Sequence, residues 1–142
     1  MSAEVEGLQA ALRAEHSAVW AYGIVGATVA LESRAAIRDV DAAHRARRDE
    51  LADLILLRGA DPEPSEASYE LPFPVGDTTA AFRLAAQLEA GVAEGYAFAV
   101  SQADSQRAKG FCLTGLTDAA LRQTTWQQLA GIAPASPEFP GL

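Results

Sequence analysis

Three side chains that can bind metals or carry protons stand where a helix would bury them. Glu15 and Glu89 each interrupt a stripe of apolar residues, and His44 lies on the apolar face of another helical stretch. A carboxylate or imidazole on a buried face is costly unless an opposite charge or a hydrogen bond satisfies it. We therefore expect these groups to meet inside the protein, either as ligands of a metal ion or as a hydrogen-bonded network.

The two glutamates belong to a weak internal repeat with an offset of 74 residues. Each is followed seven residues later by a tyrosine, Tyr22 in the first half and Tyr96 in the second. The repeat predicts two similar helical hairpins related by approximate twofold symmetry. It also predicts a buried polar cluster in which both tyrosines can donate hydrogen bonds to Glu15, His44 and Glu89.

Two aspartates extend the candidate site. Asp41 lies three residues before His44, so both can face the same side of a helix. At the repeat offset these two positions correspond to Gly115 and Asp118. Oxygen and imidazole ligands suit iron or manganese. A metal centre would use the side chains that this pattern groups: Glu15, Asp41, His44, Glu89 and Asp118.

Four predicted helices must position these groups. Their apolar residues recur at intervals of three and four, the spacing that buries one face of a helix. Residues whose side chains accept hydrogen bonds from early backbone N–H groups are expected as N-caps: Ser33, Asp77, and either Asp104 or Ser105. The predicted helices span residues 4–31, 34–58, 78–103 and 105–130.

The segment between the second and third helices, residues 59–76, contains four prolines and cannot be helical. An extended chain of this length reaches about 60 Å, whereas a helix of 25 residues is only about 37 Å long. The segment is therefore predicted to run along the bundle as a crossover, with Tyr69, Leu71 and Phe73 holding it to a surface groove. Residues 131–142 hold three more prolines and are expected to form a C-terminal tail.

Four glycines interrupt the third and fourth helices, and each costs about 1 kcal/mol relative to alanine inside a helix. They are expected to allow close packing between helices or to leave room for a ligand. The sequence leaves both alternatives open for Gly91, Gly95, Gly110 and Gly115.

Composition narrows the function classes. With 142 residues, the chain is expected to form one domain with a proper core. A net charge of −8 argues against a nucleic-acid partner or an anionic membrane surface. The lone Cys112 lies in an apolar run and is expected to be a core residue. Neither a signal peptide nor a long apolar segment is visible, so we expect no membrane association and a cytoplasmic location.

Short motifs spread over the chain carry a resemblance to a known family. They are residues 14–16 (AEH), 21–23 (AYG), 44–48 (HRARR), 71–75 (LPFPV) and 139–142 (FPGL). With them the chain resembles an uncharacterised actinobacterial ferritin-like domain family, which has no assigned activity. The resemblance implies an all-α, ferritin-like four-helix bundle of two helical hairpins joined by a long crossover loop.

Ferritin-like di-metal bundles take one Glu from each of two helices and Glu-x-x-His from each of the other two. This chain departs from that pattern, because the second half has no histidine and Gly115 replaces a carboxylate. One interpretation is therefore a buried network without a cofactor, in which a protonated His44 lies between Glu15 and Glu89. The other interpretation is a working iron or manganese site.

The sequence supports two functional hypotheses. The first is a non-catalytic bundle, expected to be a homodimer, that associates with partners or binds a small molecule. Trp20 and Trp126 would mark such a surface if exposed, although burial is their more frequent fate. His16 faces away from Glu15 and is expected at a surface or interface. The second hypothesis is an oxidoreductase or iron-handling protein; motifs of hydrolases and phosphate-binding loops are absent from the sequence.

Overall fold

The computed structural model describes residues 1–132, and four long α-helices make up most of this part. The helices are α1 (Ala3–Thr28), α2 (Arg34–Leu57), α3 (Thr78–Gln102) and α4 (Gln106–Leu129). One short 3₁₀ turn (Leu31–Ser33) precedes α2, and residues 1–132 contain no β-strand. The predicted all-α four-helix bundle is confirmed, while nearly all of the predicted tail, 131–142, lies outside the described residues.

The predicted helix boundaries agree with the structure to within one residue at most ends. The exception is α1, which ends at Thr28, three residues before the predicted position. The side chains of Asp77 and Ser105 cap α3 and α4 by accepting hydrogen bonds from backbone N–H groups. Ser33 makes no such side-chain bond, because the 3₁₀ turn before α2 gives it helical backbone angles.

The crossover runs the length of the bundle, as its proline content and length predict. At its start, the side-chain amide of Gln9 near the beginning of α1 donates to the Asp61 carbonyl at 2.8 Å. At its end, the Thr78 hydroxyl accepts from the Ala30 N–H, just beyond the end of α1, at 3.0 Å. The crossover therefore leaves α2 at one end of the bundle and begins α3 at the other, so α2 and α3 run parallel.

The helices share one apolar core, and α4 contributes to it differently from the prediction. The less regular apolar pattern of this helix predicts burial of some combination of Phe111, Leu113, Leu116, Leu121, Trp126 and Leu129. Of these, Leu113, Leu121 and Leu129 are 45, 65 and 55% exposed. The inward face of α4 carries small residues instead, among them Cys112 and Ala119, which lie in the core as fully buried side chains. Small side chains allow the helix axes to approach, so α4 packs mainly through small residues, and Trp126 is the large side chain on the same face.

A helix that crosses a membrane needs about 20 mostly apolar residues in succession. Among residues 1–132, no helix is both long and apolar enough to do so.

Candidate functional site

A histidine between two carboxylates forms the centre of the bundle. Glu15 lies on α1, His44 on α2 and Glu89 on α3, and all three side chains are fully buried. The Nδ1 atom of His44 is 2.6 Å from Oε2 of Glu15. Its Nε2 atom is 2.8 Å from Oε1 of Glu89 and 3.1 Å from Oε2. The imidazole thus connects helices of both halves of the molecule.

Two tyrosines complete the cluster, and each serves the carboxylate of the other half. Tyr96 on α3 donates to Oε1 of Glu15 at 2.8 Å, and Tyr22 on α1 donates to Oε2 of Glu89 at 3.3 Å. The Tyr22 ring also stacks on the His44 ring, with centroids 5.2 Å apart. We use the name polar cluster for these five side chains: Glu15, Tyr22, His44, Glu89 and Tyr96.

The hydrogen bonds determine the protonation of His44. Each ring nitrogen faces a carboxylate oxygen, which can only accept, so both nitrogens donate and the ring is an imidazolium. Burial by itself lowers the pKa of His44, but the hydrogen bonds and negative charges of Glu15 and Glu89 outweigh it and raise the pKa to about 9. His44 is therefore charged at neutral pH.

The charges around the cluster balance. Two carboxylates and one imidazolium leave one negative charge, and Nη1 of Arg122 on α4 lies 4.0 Å from Oε1 of Glu89. Burial, together with the nearby carboxylates, raises the pKa of Tyr22 and of Tyr96, so both hydroxyls stay protonated and keep donating. A neutral, hydrogen-bonded arrangement is the condition under which charges can be kept inside a protein.

The two aspartates of the proposed ligand set do not join the cluster. Asp41 pairs with Arg45 one turn later on α2, at 3.1 Å, and Asp118 forms an ion pair with Arg47 across to α2. From these positions an aspartate side chain is too short to reach the bundle axis. An arginine side chain on the neighbouring helix surface is long enough to reach the aspartate instead. The side chain of Arg47 is only 14% exposed and lies over the Phe111 ring.

Gly115, which stands where a second metal-binding carboxylate would be expected, has a packing role. A Cβ atom placed on it would lie 2.7 Å from the ring of Tyr96. The Tyr96 ring fills the space that a larger side chain at position 115 would need in order to reach the centre of the bundle. The glycine and the tyrosine therefore belong together, and the second half has no room for a carboxylate at this position.

The side chains of the cluster do not fit a metal ion in the arrangement they adopt. Nitrogen and oxygen ligands about 2.0–2.2 Å from one ion stand roughly 3 Å apart or more, whereas Nδ1 of His44 is 2.6 Å from Glu15. An imidazolium has no lone pair for a metal, and the tyrosines occupy further carboxylate lone pairs. Among residues 1–132, no group of three or more His, Cys, Asp and Glu side chains has an arrangement that could hold a metal ion.

Some contributors could not be identified from the sequence. Trp126 is buried and donates its indole N–H to the Tyr22 hydroxyl at 2.9 Å. Glu4 is buried as well; its Oε1 atom accepts from the Asp104 and Ser105 N–H groups at 2.9 and 2.7 Å and thereby holds the start of α4. For Trp126 the sequence left exposure and burial open, and nothing in the helical pattern distinguishes Glu4 from the acidic residues around it.

Two further expectations concern single residues. His16 is half-buried, and its Nε2 atom lies 2.9 Å from the Glu63 carbonyl, so it holds the crossover as a donor. Cys112 is buried, as predicted, and burial raises the pKa of its thiol to about 11. A thiol with so high a pKa is protonated at neutral pH and is a poor nucleophile.

Fold and site together define a class of protein: a four-helix bundle with a buried imidazole–carboxylate cluster. The chain belongs to the family described as "Domain of unknown function (DUF4439)", whose model matches residues 7–142. It is also similar to a solved structure, that of the conserved hypothetical protein rv2844 from Mycobacterium tuberculosis. The two share 31% sequence identity with a TM-score of 0.86, over 89% of this chain and 96% of that one. No curated protein sequence matches the chain.

Proposed function

We propose that the protein is a non-catalytic, ferritin-like bundle that serves as a ligand-binding or association scaffold, and that its polar cluster is a structural network without a metal. In this proposal the cluster occupies the position of a di-metal centre that has lost its ligand set. The imidazolium and the two carboxylates fix how α1, α2 and α3 align, as buried polar groups do in other helical assemblies.

One observation carries the proposal. Both nitrogens of His44 lie at hydrogen-bonding distance from carboxylate oxygens, 2.6 Å to Glu15 and 2.8 Å to Glu89. A catalytic or metal-binding histidine needs a free nitrogen, either to take a proton or to coordinate. His44 has none, and its fully buried ring lines neither the cavity between α1, α3 and the crossover nor the one between α2 and α4.

A scaffold needs a surface or a cavity for its partner. A cavity of about 430 Å³ lies between α1, α3 and the crossover, a volume in the range of small-molecule sites. The net charge of −8 disfavours nucleic acid. We therefore favour a small-molecule ligand; homodimerisation and a cytoplasmic location remain predictions from the sequence.

The alternative function is an iron- or manganese-binding oxidoreductase or iron-handling protein. The presence of two carboxylates, one imidazole and two phenols at one level of a bundle favours it. Such a site would require Glu15, His44 and Glu89 to separate and turn their lone pairs toward an ion. The two functions therefore differ in metal content and in the protonation of His44.

Metal analysis separates the two. The protein is purified without an affinity tag from cells supplied with iron and manganese, and the ions are counted per chain. We expect substoichiometric metal in both the native protein and Glu15→Gln, and a melting temperature that a chelator does not change. One or more ions per chain, lost in Glu15→Gln, would contradict the proposal and support the oxidoreductase.

A further inference from the structure

The cavity between α1, α3 and the crossover is called here the α1–α3 cavity. Its walls include Ala14, Ser17 and Trp20 from α1, Leu88 and Gly91 from α3, and Tyr69 from the crossover. It lies apart from the polar cluster, and none of the five cluster side chains lines it. Its origin can be traced to particular residues.

Small side chains create the hollow. One turn further along α3, a Cβ on Gly95 would lie only 3.2 Å from Cβ of Ala14, so α1 and α3 nearly touch there. A Cβ on Gly91 would meet nothing within 4 Å. The helices therefore diverge between these two glycines, and the residues at the opening, Ala14, Ser17 and Gly91, are too small to fill it.

The crossover forms a roof that is held at several points. Gln9 binds its first residues through two hydrogen bonds, to the Asp61 carbonyl and from the Glu63 N–H. Further along, the Tyr69 ring packs on Trp20 with centroids 5.6 Å apart. A roof with this many attachments maintains the cavity before any ligand arrives, which reduces the ordering cost of binding.

The wall chemistry indicates the shape of the ligand. Trp20 and Tyr69 present two rings tilted by 53°, and Leu84, Leu88 and Val92 supply an aliphatic floor. Aromatic rings pack against such walls in edge-to-face or offset geometry. At the edge, the Ser17 hydroxyl and the Gln87 amide make no side-chain hydrogen bond to any described residue and can bind one polar group of a ligand.

Charge at the rim selects against anions. Arg13 lies there, but it is already paired with Glu63 at 2.9 Å, and Glu70 adds a second carboxylate. A negatively charged ligand would therefore meet a surplus of negative charge, on a protein whose net charge is −8. A cation would be attracted by Glu70, but this residue is exposed, so solvent screens the attraction, and placing a charge against the mostly apolar walls costs free energy.

We infer that the α1–α3 cavity binds an uncharged, planar aromatic molecule of two or three fused rings that carries one hydrogen-bonding group. The inference deepens the ligand-binding part of the proposed function and rests on it. It is independent of whether the polar cluster holds a metal, so metal analysis and ligand binding can fail separately.

A matched set of probes tests the inference. The probes are 2-naphthol, 2-naphthoate and 2-naphthylmethylammonium at pH 7, which share a ring system and differ in charge. Each is titrated into the full chain while backbone amide resonances are followed by NMR. For 2-naphthol we expect saturable 1:1 binding with a Kd of roughly 0.01–1 mM, the range for a ligand of this size. The shifted amides should lie on the facing sides of α1 and α3 and in the roof.

Cavity-filling variants make the test specific. Gly91→Leu places a side chain in the hollow without a backbone clash, and its matched control, Gly110→Leu, alters a helical glycine on α4 that also has open space around it. Both should fold at least as well as the native chain, because each replaces a helical glycine. Binding of 2-naphthol should weaken at least about tenfold in Gly91→Leu and stay unchanged in Gly110→Leu.

Several results would overturn the inference. Binding that never saturates, or equal affinity in Gly91→Leu and the native chain, would show that the cavity is not the site. Tighter binding of 2-naphthoate or of 2-naphthylmethylammonium than of 2-naphthol would refute the assignment of an uncharged ligand.

Discussion

The two hairpins of the molecule share a plan but differ at the positions where they meet the polar cluster. Both place a glutamate and, seven residues later, a tyrosine on their first helix. On the second helix, His44 of the first hairpin corresponds to Asp118 of the second, which turns outward to Arg47. The first hairpin thus supplies the only imidazole of the cluster, and the second supplies none.

The difference shows how an approximately symmetric bundle can hold three buried charged groups, two carboxylates and one imidazolium, and still compensate the net negative charge. One imidazolium is shared by two carboxylates, and Arg122 of the second hairpin supplies the remaining positive charge near Glu89. Each tyrosine binds the glutamate of the opposite hairpin. Glu15 binds His44 of its own hairpin but also depends on Tyr96 of the other, and Glu89 depends on His44 and Tyr22 of the first hairpin. The cluster therefore stabilises the association of the two halves.

The largest expected effect comes from removing one carboxylate. Glu15→Ala leaves a buried imidazolium with a single partner and should lower the free energy of unfolding by about 3–5 kcal/mol. Glu15→Gln keeps a hydrogen-bonding group of the same shape and should lower it by about 1–2 kcal/mol. Urea denaturation measures both. If both changes were negligible, Glu15 would not be the buried partner that this account requires.

The next effect is a pH dependence that follows from His44. Its pKa is about 9 in the folded protein, against the ordinary histidine value of 6.5 that applies to the unfolded chain, so folding takes up a proton between these values. The resulting stabilisation of about 3 kcal/mol is complete below pH 6.5 and disappears as the pH rises through 9. Urea denaturation between pH 6 and 8.5, below the ordinary pKa of 9.0 at which Cys112 of the unfolded chain loses its proton, should show most of this decline in the native chain and in His16→Gln, and not in His44→Gln. A decline that persisted in His44→Gln would have to come from another group.

A smaller effect distinguishes the two tyrosines. Tyr22→Phe removes the acceptor of the buried Trp126 indole N–H as well as a donor to Glu89. It should therefore destabilise by about 1–3 kcal/mol, the cost of an unsatisfied buried group. Tyr96→Phe leaves no such donor behind and should destabilise by about 1 kcal/mol. Urea denaturation of Tyr22→Phe and Tyr96→Phe under identical conditions measures both losses of unfolding free energy. Equal losses would mean that the hydrogen bond from Trp126 to Tyr22 contributes nothing to stability.

The smallest effect concerns the glycine under Tyr96. Gly115→Ala brings a Cβ within 2.7 Å of a packed aromatic ring, and the strain should outweigh the gain in helix propensity by about 1 kcal/mol. The control Gly110→Ala has open space and should stabilise by up to about 1 kcal/mol. Melting temperatures of Gly115→Ala and Gly110→Ala should therefore move in opposite directions, and a rise in both would show that the ring yields easily.

The three–four periodicity of apolar residues predicted much of the fold and the three residues at the centre of the site. The spacing of apolar residues places Glu15, His44 and Glu89 on inward helix faces, and the proline-rich segment between α2 and α3 has the length of a crossover. These features depend on one-dimensional patterns that a helix converts directly into direction. The exposed Leu113 and Leu121 show where hydrophobicity alone misleads, because packing distance favoured small residues on α4.

The ion pairs and hydrogen bonds around the polar cluster could not be predicted from the sequence, because they depend on which neighbours the long side chains contact. Arg47 and Arg122 can extend in several directions from the helix surface, and only the neighbouring helices decide between solvent and an ion pair. Asp41 was a candidate ligand because it lies three residues before His44, and Asp118 because it corresponds to His44 at the repeat offset. Position on a helix, however, does not determine whether a short carboxylate reaches the bundle axis. The hydrogen bonds between Glu4 and the start of α4 connect residues about 100 positions apart, which no local pattern reveals.

The most direct measurement is the protonation of His44 by nitrogen NMR of the histidine side chains. The chain contains only two histidines, so His16→Gln assigns the remaining signals to His44. At pH 7 we expect both nitrogens of His44 to carry protons, each in a strong hydrogen bond, with and without added iron or manganese. A neutral ring with one bare nitrogen, or a signal displaced by the added metal, would contradict it.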